Sequence, residues 1–495
     1  MGIVQTIKNI FLRSKYMATT GTLVSLVDHP KIAISHEEYA RIQSNLTYYE
    51  SKWDDIIYHN TAGEKKTRPA QHLPIARTVS KKLASLVYNE QAEITVNNTE
   101  ANNFIQEVLL NDRFNKNFER YLESGLALGG LAMRPYIAGN RVRVAFVQAP
   151  VFLPLQSNTQ DVSSAAIVTK TTRSAGESNI YYTLIEFHEW DGSDYYVSNE
   201  LYRSKNPSIV GDRVPLSELY EDLEEKVRIT DVSRPLFTYL KTPGMNNKDI
   251  DSPLGLSVFD NAKTTIDFLN TTYDEFMWEV KMGQRRVAVP DSMVKMNVQT
   301  EDGDIRFVQR FEAEQNVYQM LGNEERGIGI TDLTTPIRAD DYIKAINEGL
   351  NLLEMQVGVS TGMFTFDGKS MKTATEIVSE NSDTYQLRNS IVSLVQQSIK
   401  ELVVSICELA RGAELYNGDI PALKDIEVNL DDGIFTDRNA ELDYWTKALA
   451  SGIVSREYAM KKVLGLSDNE LQTIAAQINQ EKPNLSEVDR DLYDE

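Results

Sequence analysis

The chain has a single cysteine, Cys407, in 495 residues. A disulfide framework and a thiolate-based zinc site both need more, so both are excluded. Its five histidines are His29, His36, His59, His72 and His188, and none stands at a metal-binding spacing such as HxH or HExxH. Basic charge is also short. Lys and Arg number 51 against 72 Asp and Glu, a formal net charge of −21. A protein that grips nucleic acid by neutralising phosphates needs the opposite balance, whereas one that nucleic acid merely passes through does not. No unbroken run of about 18 apolar residues occurs, so no membrane-spanning helix is expected. The N-terminus lacks the apolar stretch and small-residue cleavage site of a secretory signal. Met1-Gly2 with Thr6 fits the short acylation pattern, but the simpler reading is an amphipathic helix with Ile3, Val4, Ile7, Ile10 and Phe11 on one side.

Enzyme motifs are missing as well. Gly-x-Ser-x-Gly is absent. Phe366-Asp367-Gly368-Lys369-Ser370 ends like a phosphate-binding loop, yet the position that must hold the first glycine is Met363, and Gly362 lies one residue too far. That loop also follows a helix rather than a strand. Asp340-Asp341 and Asp431-Asp432 are sequence neighbours, which do not face one another, and Asp431-Asp432-Gly433 reads as a turn. Cys407 falls on the apolar stripe of a long helix and reads as a core thiol. No catalytic residue, metal site or cofactor is expected.

What is present is ordinary globular material. Hydrophobic residues make up 41% and charged residues 25%, and the length allows two to four domains at roughly 100–200 residues each. Helical spacing predicts a helix from Ser35 or His36 to Trp53. It predicts a second over 74–89, opened by Pro74 and carrying Ile75, Val79, Leu83, Leu86 and Val87, and further helix over 101–128. Alternation and hairpin turns at Gly139-Asn140 and Asp191-Gly192 predict an antiparallel meander over 131–205. An acidic helix near Glu218–Glu225 and a strand at 235–241 follow. Ser252-Pro253 reads as a helix start, with Val258, Ala262, Ile266, Leu269, Tyr273, Phe276 and Val280 as the stripe and an end near Gly283. Strands and turns over 285–337 precede a second helix, 339–357, with the stripe Ile343, Ile346, Leu350, Leu353 and Val357. Thr373 and Glu376 form a capping box for a helix running to Ala410, roughly 55 Å long. A short strand lies within 425–435. Three short helices over 437–481, the last capped by Ser467 with Glu470, and an acidic tail expected to be disordered complete the chain. The fold class is α+β, mainly helical.

The segment 361–386, TGMFTFDGKSMKTATEIVSENSDTYQ, carries a resemblance. Its Lys372-Thr373-Ala374-Thr375-Glu376-Ile377, opening the long helix, resembles the portal proteins of tailed bacteriophages, particularly long-tailed phages of Gram-positive bacteria. The helix at 74–89, the segment FERYLESGLALGGLAMRPYI at 118–137 and the order of elements along nearly the whole chain are similar to that family too.

The resemblance implies a portal-type fold of wing, stem, clip and crown regions, and a ring, usually of twelve subunits, with a central channel for double-stranded DNA. By position, 1–251 would hold N-terminal helices and a β-rich wing, and 252–284 and 338–359 the two stem helices. The clip would be 285–337, the tunnel loop 360–373, the long wing helix and strand 374–436, and the crown 437–495. The tunnel loop implies Lys369, Lys372, Met363 and Phe364 as DNA-facing residues. The clip implies Arg285, Arg286, Arg306 and Arg310 as a docking region. Implied partners are the terminase large subunit, which would carry the ATP hydrolysis, a head-completion or adaptor protein, the major capsid protein and a scaffold protein, with no membrane. The implied location is the portal vertex of the virion, after assembly in the host cytoplasm, where the ring would nucleate the procapsid. The competing reading is a virion adaptor or scaffold-type interaction protein that forms no channel, and an enzyme with a degenerate site is a third.

Overall fold

The computed structural model of the protein describes residues 22–59, 63–88, 92–158, 161–175, 178–283, 334–364, 382–430 and 438–464. It also describes five short strands between 287 and 332 and scattered residues over 471–478. The chain divides into two compact units, residues 1–368 with 383–431, and residues 369–382 with 432–495. The expected N-terminal helix, the Thr373–Glu376 capping box, Ser467 with Glu470, and the acidic tail lie outside the described residues.

In the first unit, α1 (His36–Tyr49) is capped by the Ser35 hydroxyl, which accepts from the Glu38 amide at 3.1 Å. It stops before Trp53. Helix α2 (Ile75–Val87) begins just after Pro74, as expected, and buries Ile75, Val79, Leu83 and Val87. The expected helix over 101–128 is two helices, α3 (Thr99–Asn111) and α4 (Phe114–Leu128). Arg113 takes left-handed backbone (φ 49°) and breaks the run, while the Asp112 carboxylate turns away to accept from the Val144 amide at 2.6 Å. Helix α4 ends at Gly129 (φ +93°), where a side chain would also drive into the backbone of Gly255. Only glycine satisfies both demands.

The meander is present but split between two antiparallel sheets. One is ordered β12-β4-β5, with β4 (Gly130–Ala138), β5 (Arg141–Gln148) and β12 (Thr238–Lys241). The other is ordered β10-β9-β8-β7-β6, with β11 also on β9. Its strands are β6 (Phe152–Ser157), β7 (Val162–Ala175), β8 (Ser178–Asp191), β9 (Asp194–Ser204), β10 (Asp212–Val214) and β11 (Lys226–Ile229). The acidic helix near Glu218–Glu225 is not formed. A single 3-10 turn, Leu216–Glu218, stands there instead. Leu219, Tyr220 and Leu223 still turn inward against Tyr182, Leu201 and Leu216, so the apolar spacing found a packing surface without a full helix.

Ser252-Pro253 is not a helix start. The Ser252 hydroxyl bonds the Glu38 carboxylate at 2.8 Å, and α5 spans Lys263–Met282 after a 3-10 turn at Asp260–Ala262. The reason is a better buried use for those polar groups. Glu38 also accepts from Asn246 at 2.8 Å and pairs with Arg41, which reaches Asp260 at 2.5 Å and the Gly255 carbonyl at 3.0 Å. Helix α6 spans Ala339–Val357, the predicted range, and ends at Gly358 (φ +83°). Helix α7 (Ser382–Gly412) is 31 residues, roughly 46 Å, and buries Ile391, Val395, Ile399, Leu402 and Ile406. Cys407 is fully buried beside them, and burial pushes its thiol up to about 12.

By length and average composition α7 is apolar enough to cross a membrane, though it contains no unbroken apolar run. Its apolar side belongs to the main core, together with residues of α2, α4, α5 and α6, as in the central helix of a packed protein. The buried Arg388 fixes its N-terminal half by donating to the carbonyls of Leu86 and Leu430, both at 2.8 Å. The strand expected near 425–435 is β18 (Ile426–Asn429), antiparallel to β3 (Glu93–Val96).

In the second unit, α8 (Arg438–Ala450) and α9 (Arg456–Leu464) pack together, with Trp445 edge-on to Tyr458 at 5.8 Å.

Candidate functional site

The segment that carried the resemblance begins where α6 ends. Helices α5 and α6 form a close pair. Gly349 lets them approach, since a Cβ there would lie 2.6 Å from Leu269. Thr265 donates to Gln356 at 2.7 Å at one end of the pair, and Phe276 stacks on Tyr342 at 5.2 Å toward the other. A further tie runs sideways. Arg68, on the hairpin of β1 (Ile56–His59) and β2 (Lys65–Arg68), chelates Asp274 of α5 and lies over Trp278 at 4.6 Å.

The sequence between the two helices is β-rich, as predicted. β13 (Val287–Val289) pairs in parallel with β16 (Tyr318–Met320) and antiparallel with β17 (Thr331–Asp332), and β14 (Asn297–Glu301) pairs with β15 (Asp304–Val308). The roots of this insertion are clasped together. Glu279, near the end of α5, accepts from the Arg338 backbone at 2.9 Å and from its guanidinium at 3.1 Å, just before α6. Those bonds hold the Glu279 carboxyl at about 2. Of the four predicted docking residues, Arg306 is on β15, opposite Gln299. Arg285, Arg286 and Arg310 lie outside the described residues.

The loop after α6 is anchored at both ends. Glu354, in the last turn of α6, is fully buried. Its carboxylate accepts from the amide of Gly362 at 2.7 Å and from that of Phe364. A buried carboxylate bonded to two amides is expensive to leave unmet, so these bonds hold the chain reversal firmly. The far side is tied by a reciprocal pair. The Ser360 amide donates to the Thr384 hydroxyl at 2.9 Å, and the Thr384 amide to the Ser360 hydroxyl at 3.3 Å. Met363 and Phe364 are packed, partly buried, against the main core. Lys369 and Lys372 lie outside the described residues, on the segment that leaves Phe364 and returns at Ser382.

Periodicity did not single out Glu354. A signal was available, because it lies four residues after Leu350 and three before Val357, on the buried stripe itself. Of that stripe Ile346, Leu350, Leu353 and Val357 are buried, whereas Ile343 is 48% exposed. On α5 and the 3-10 turn before it the stripe is buried at Ala262, Ile266 and Leu269, while Val280 is exposed. Outside the stripes, Phe268 of α5 and Leu352 and Met355 of α6 are also exposed, at 48%, 49% and 66%.

His188 and His29 are tied into separate polar contacts of the larger sheet rather than gathered. His188 is buried between Tyr195 at 2.7 Å and Glu186 at 2.6 Å, and His29 bonds Glu200 at 3.1 Å. Among the described residues, no group of three or more His, Cys, Asp or Glu side chains is placed to hold a metal ion.

No curated protein matches the chain. A family model described as phage portal protein, SPP1 Gp6-like, matches residues 28–484. That span takes in the helix pair, the β insertion, the anchored loop and the long helix as one continuous match, and the chain therefore belongs to the phage portal protein family, structural proteins of the capsid portal vertex through which the viral genome is packaged.

Proposed function

We propose that this chain works as a ring, of twelve copies as is typical of the family, whose channel is lined by α5, α6 and the loop between α6 and α7. The residues 252–284 and 338–359 act as the stem, 285–337 as the clip, 360–373 as the tunnel loop and 437–495 as the crown. The clip docks the terminase large subunit during packaging and a head-completion or adaptor protein afterwards. Capsid and scaffold proteins join the ring during assembly in the host cytoplasm, where the ring nucleates the procapsid.

The anchored loop is the observation that carries this reading. A segment that must stand close to moving DNA needs a rigid base, and Glu354 with the Ser360–Thr384 pair supplies one at the end of the helix pair. Met363 and Phe364 then serve as its foot against the core, leaving Lys369 and Lys372 as the cations toward the DNA. The charge supports the same reading. Twelve copies at −21 carry about −250, which repels phosphates and keeps DNA mobile, while a ring of lysines gives weak, sequence-blind contacts. The clasp between Glu279 and Arg338 supports a clip that leaves and re-enters the stem at one place.

Replacing Lys369→Ala together with Lys372→Ala should leave ring assembly intact and lower the yield of packaged DNA in infected cells. An unchanged yield from an otherwise normal infection would remove the loop from the mechanism.

A further inference from the structure

Helices α2 and α4 run antiparallel, and two cross-links fix their register. Arg77 meets Glu123 at 3.2 Å, and the Tyr88 hydroxyl donates to Asn115 at 2.8 Å. Between those links the outer surface carries Lys81 and Lys82 on α2 and Lys116 and Arg120 on α4, all exposed. None has an ion pair among the described residues. The neighbouring acids are committed elsewhere. Glu123 also accepts from Tyr49 at 2.7 Å, and Asp112 holds the Val144 amide. Glu119, half-buried near Tyr88, is the acid left between the cations. A chain with net charge −21 thus keeps a cationic helical face.

The oppositely charged surface is the segment 217–225, which follows β10. It has five acids and no base in nine residues. Glu218 is taken by Arg203 at 2.5 Å. The cations that follow are also occupied, with Lys226 over the Tyr196 ring at 4.0 Å and Arg228 on Asp194 at 2.7 Å. Glu221, Asp222, Glu224 and Glu225 remain exposed, without an ion pair among the described residues. Leu219, Tyr220 and Leu223 pin the backbone to the satellite core, so the four carboxylates are presented from a fixed scaffold. No ion pair joins the two surfaces within the described chain.

We infer that the cationic face of α2 and α4 receives the 217–225 segment of a second copy of this chain. The inference rests on the ring reading and names a contact for it. A head-to-tail ring needs two different surfaces that complement one another, and these two offer four charges each, of opposite sign. The apolar flanks of α5 and α6 supply no such polarity, so the charged pair would set which side of one copy meets which side of the next.

The test is a charge swap in the full-length protein, read as the fraction of ring by mass photometry. Lys81→Glu with Lys82→Glu should lower that fraction about tenfold near physiological salt, where exposed charges still act across about 8 Å. Asp222→Lys with Glu224→Lys should do the same. Combining all four changes in one chain should restore the ring to within about twofold of wild type, which a mere loss of stability would not do. If the reversed chains fail to fold by circular dichroism, Lys81→Gln with Lys82→Gln replaces them, and its ring fraction should fall and lose its salt dependence. Rings formed equally by wild type and every variant overturn this contact and leave the ring reading standing. A wild-type chain of monomer mass at every concentration overturns both. Unchanged rings that no longer retain double-stranded DNA would make the cationic face a DNA surface, and would also overturn the inference.

Discussion

Phe118 and Leu122 of α4 have no exposure, whereas Phe268 of α5 is 48% exposed and Met355 of α6 is 66%. Both regions are helices that feed the same core, yet only one is finished within the chain. Phe118 stacks on Phe114 and meets Tyr88 edge-on, so every face of the ring is spoken for. On the helix pair the stripe is buried and the flanks keep large apolar side chains in water. Scattered exposed apolar residues are ordinary, but several on one pair of helices form a surface that the proposed ring would cover with the next copy. The contrast separates residues that hold the subunit together from residues that the proposed ring would use for assembly.

The sharpest way to break that contrast is at the finished end. Phe118→Ala removes a fully buried ring and should cost roughly 3–5 kcal/mol of subunit stability, seen as a lower denaturant midpoint. Glu354→Gln should cost less, roughly 1–3 kcal/mol, because the amide keeps the shape but accepts poorly from two backbone groups. Hydrogen exchange should quicken at the Gly362 and Phe364 amides and stay unchanged in α2. A smaller effect is expected at Glu200, on β9 of the larger sheet. His29, with help from Tyr202 and Arg213, holds the Glu200 carboxyl at about 2. A carboxyl lowered in the folded state contributes stability above its unfolded value of about 4.3, and loses it as pH falls toward about 2. His29→Ala should therefore move the acid unfolding midpoint upward, by an amount worth under about 1 kcal/mol after solvent screening. Phe268→Ser and Leu352→Ser should leave subunit stability within about 0.5 kcal/mol while reducing assembly. A large loss of stability there would erase the distinction between the two regions.

The sequence was legible where local rules and packing agreed. Helix α6 matches its predicted range because its apolar spacing, its glycine stop and its partner helix all ask for the same residues. Pro74 opened α2 for the same reason, and the long helix with its apolar stripe was recognisable beside the motif at 372–377. Local rules failed where distant polar groups made a better offer. Ser252 looked like a cap and became a ligand of Glu38, 214 residues away. Arg113 split a helical run because Asp112 was wanted by β5. The anchor of the loop was missed because Glu354 reads as a break in an apolar stripe, and its amide partners lie in a glycine-containing turn with no periodicity to flag them. The region names and the four clip arginines came from the resemblance alone, and of those arginines the fold places only Arg306.

In the proposed ring the exposed flanks of α5 and α6 are covered by the next copy of the chain. The direct measurement is the solution mass of wild type beside the Phe268→Ser and Leu352→Ser double variant, by mass photometry at matched concentration. Wild type should give a species near twelve times 56.0 kDa, about 670 kDa, and the folded variant should shift toward 56.0 kDa. A variant that forms rings as fully as wild type would contradict the claim.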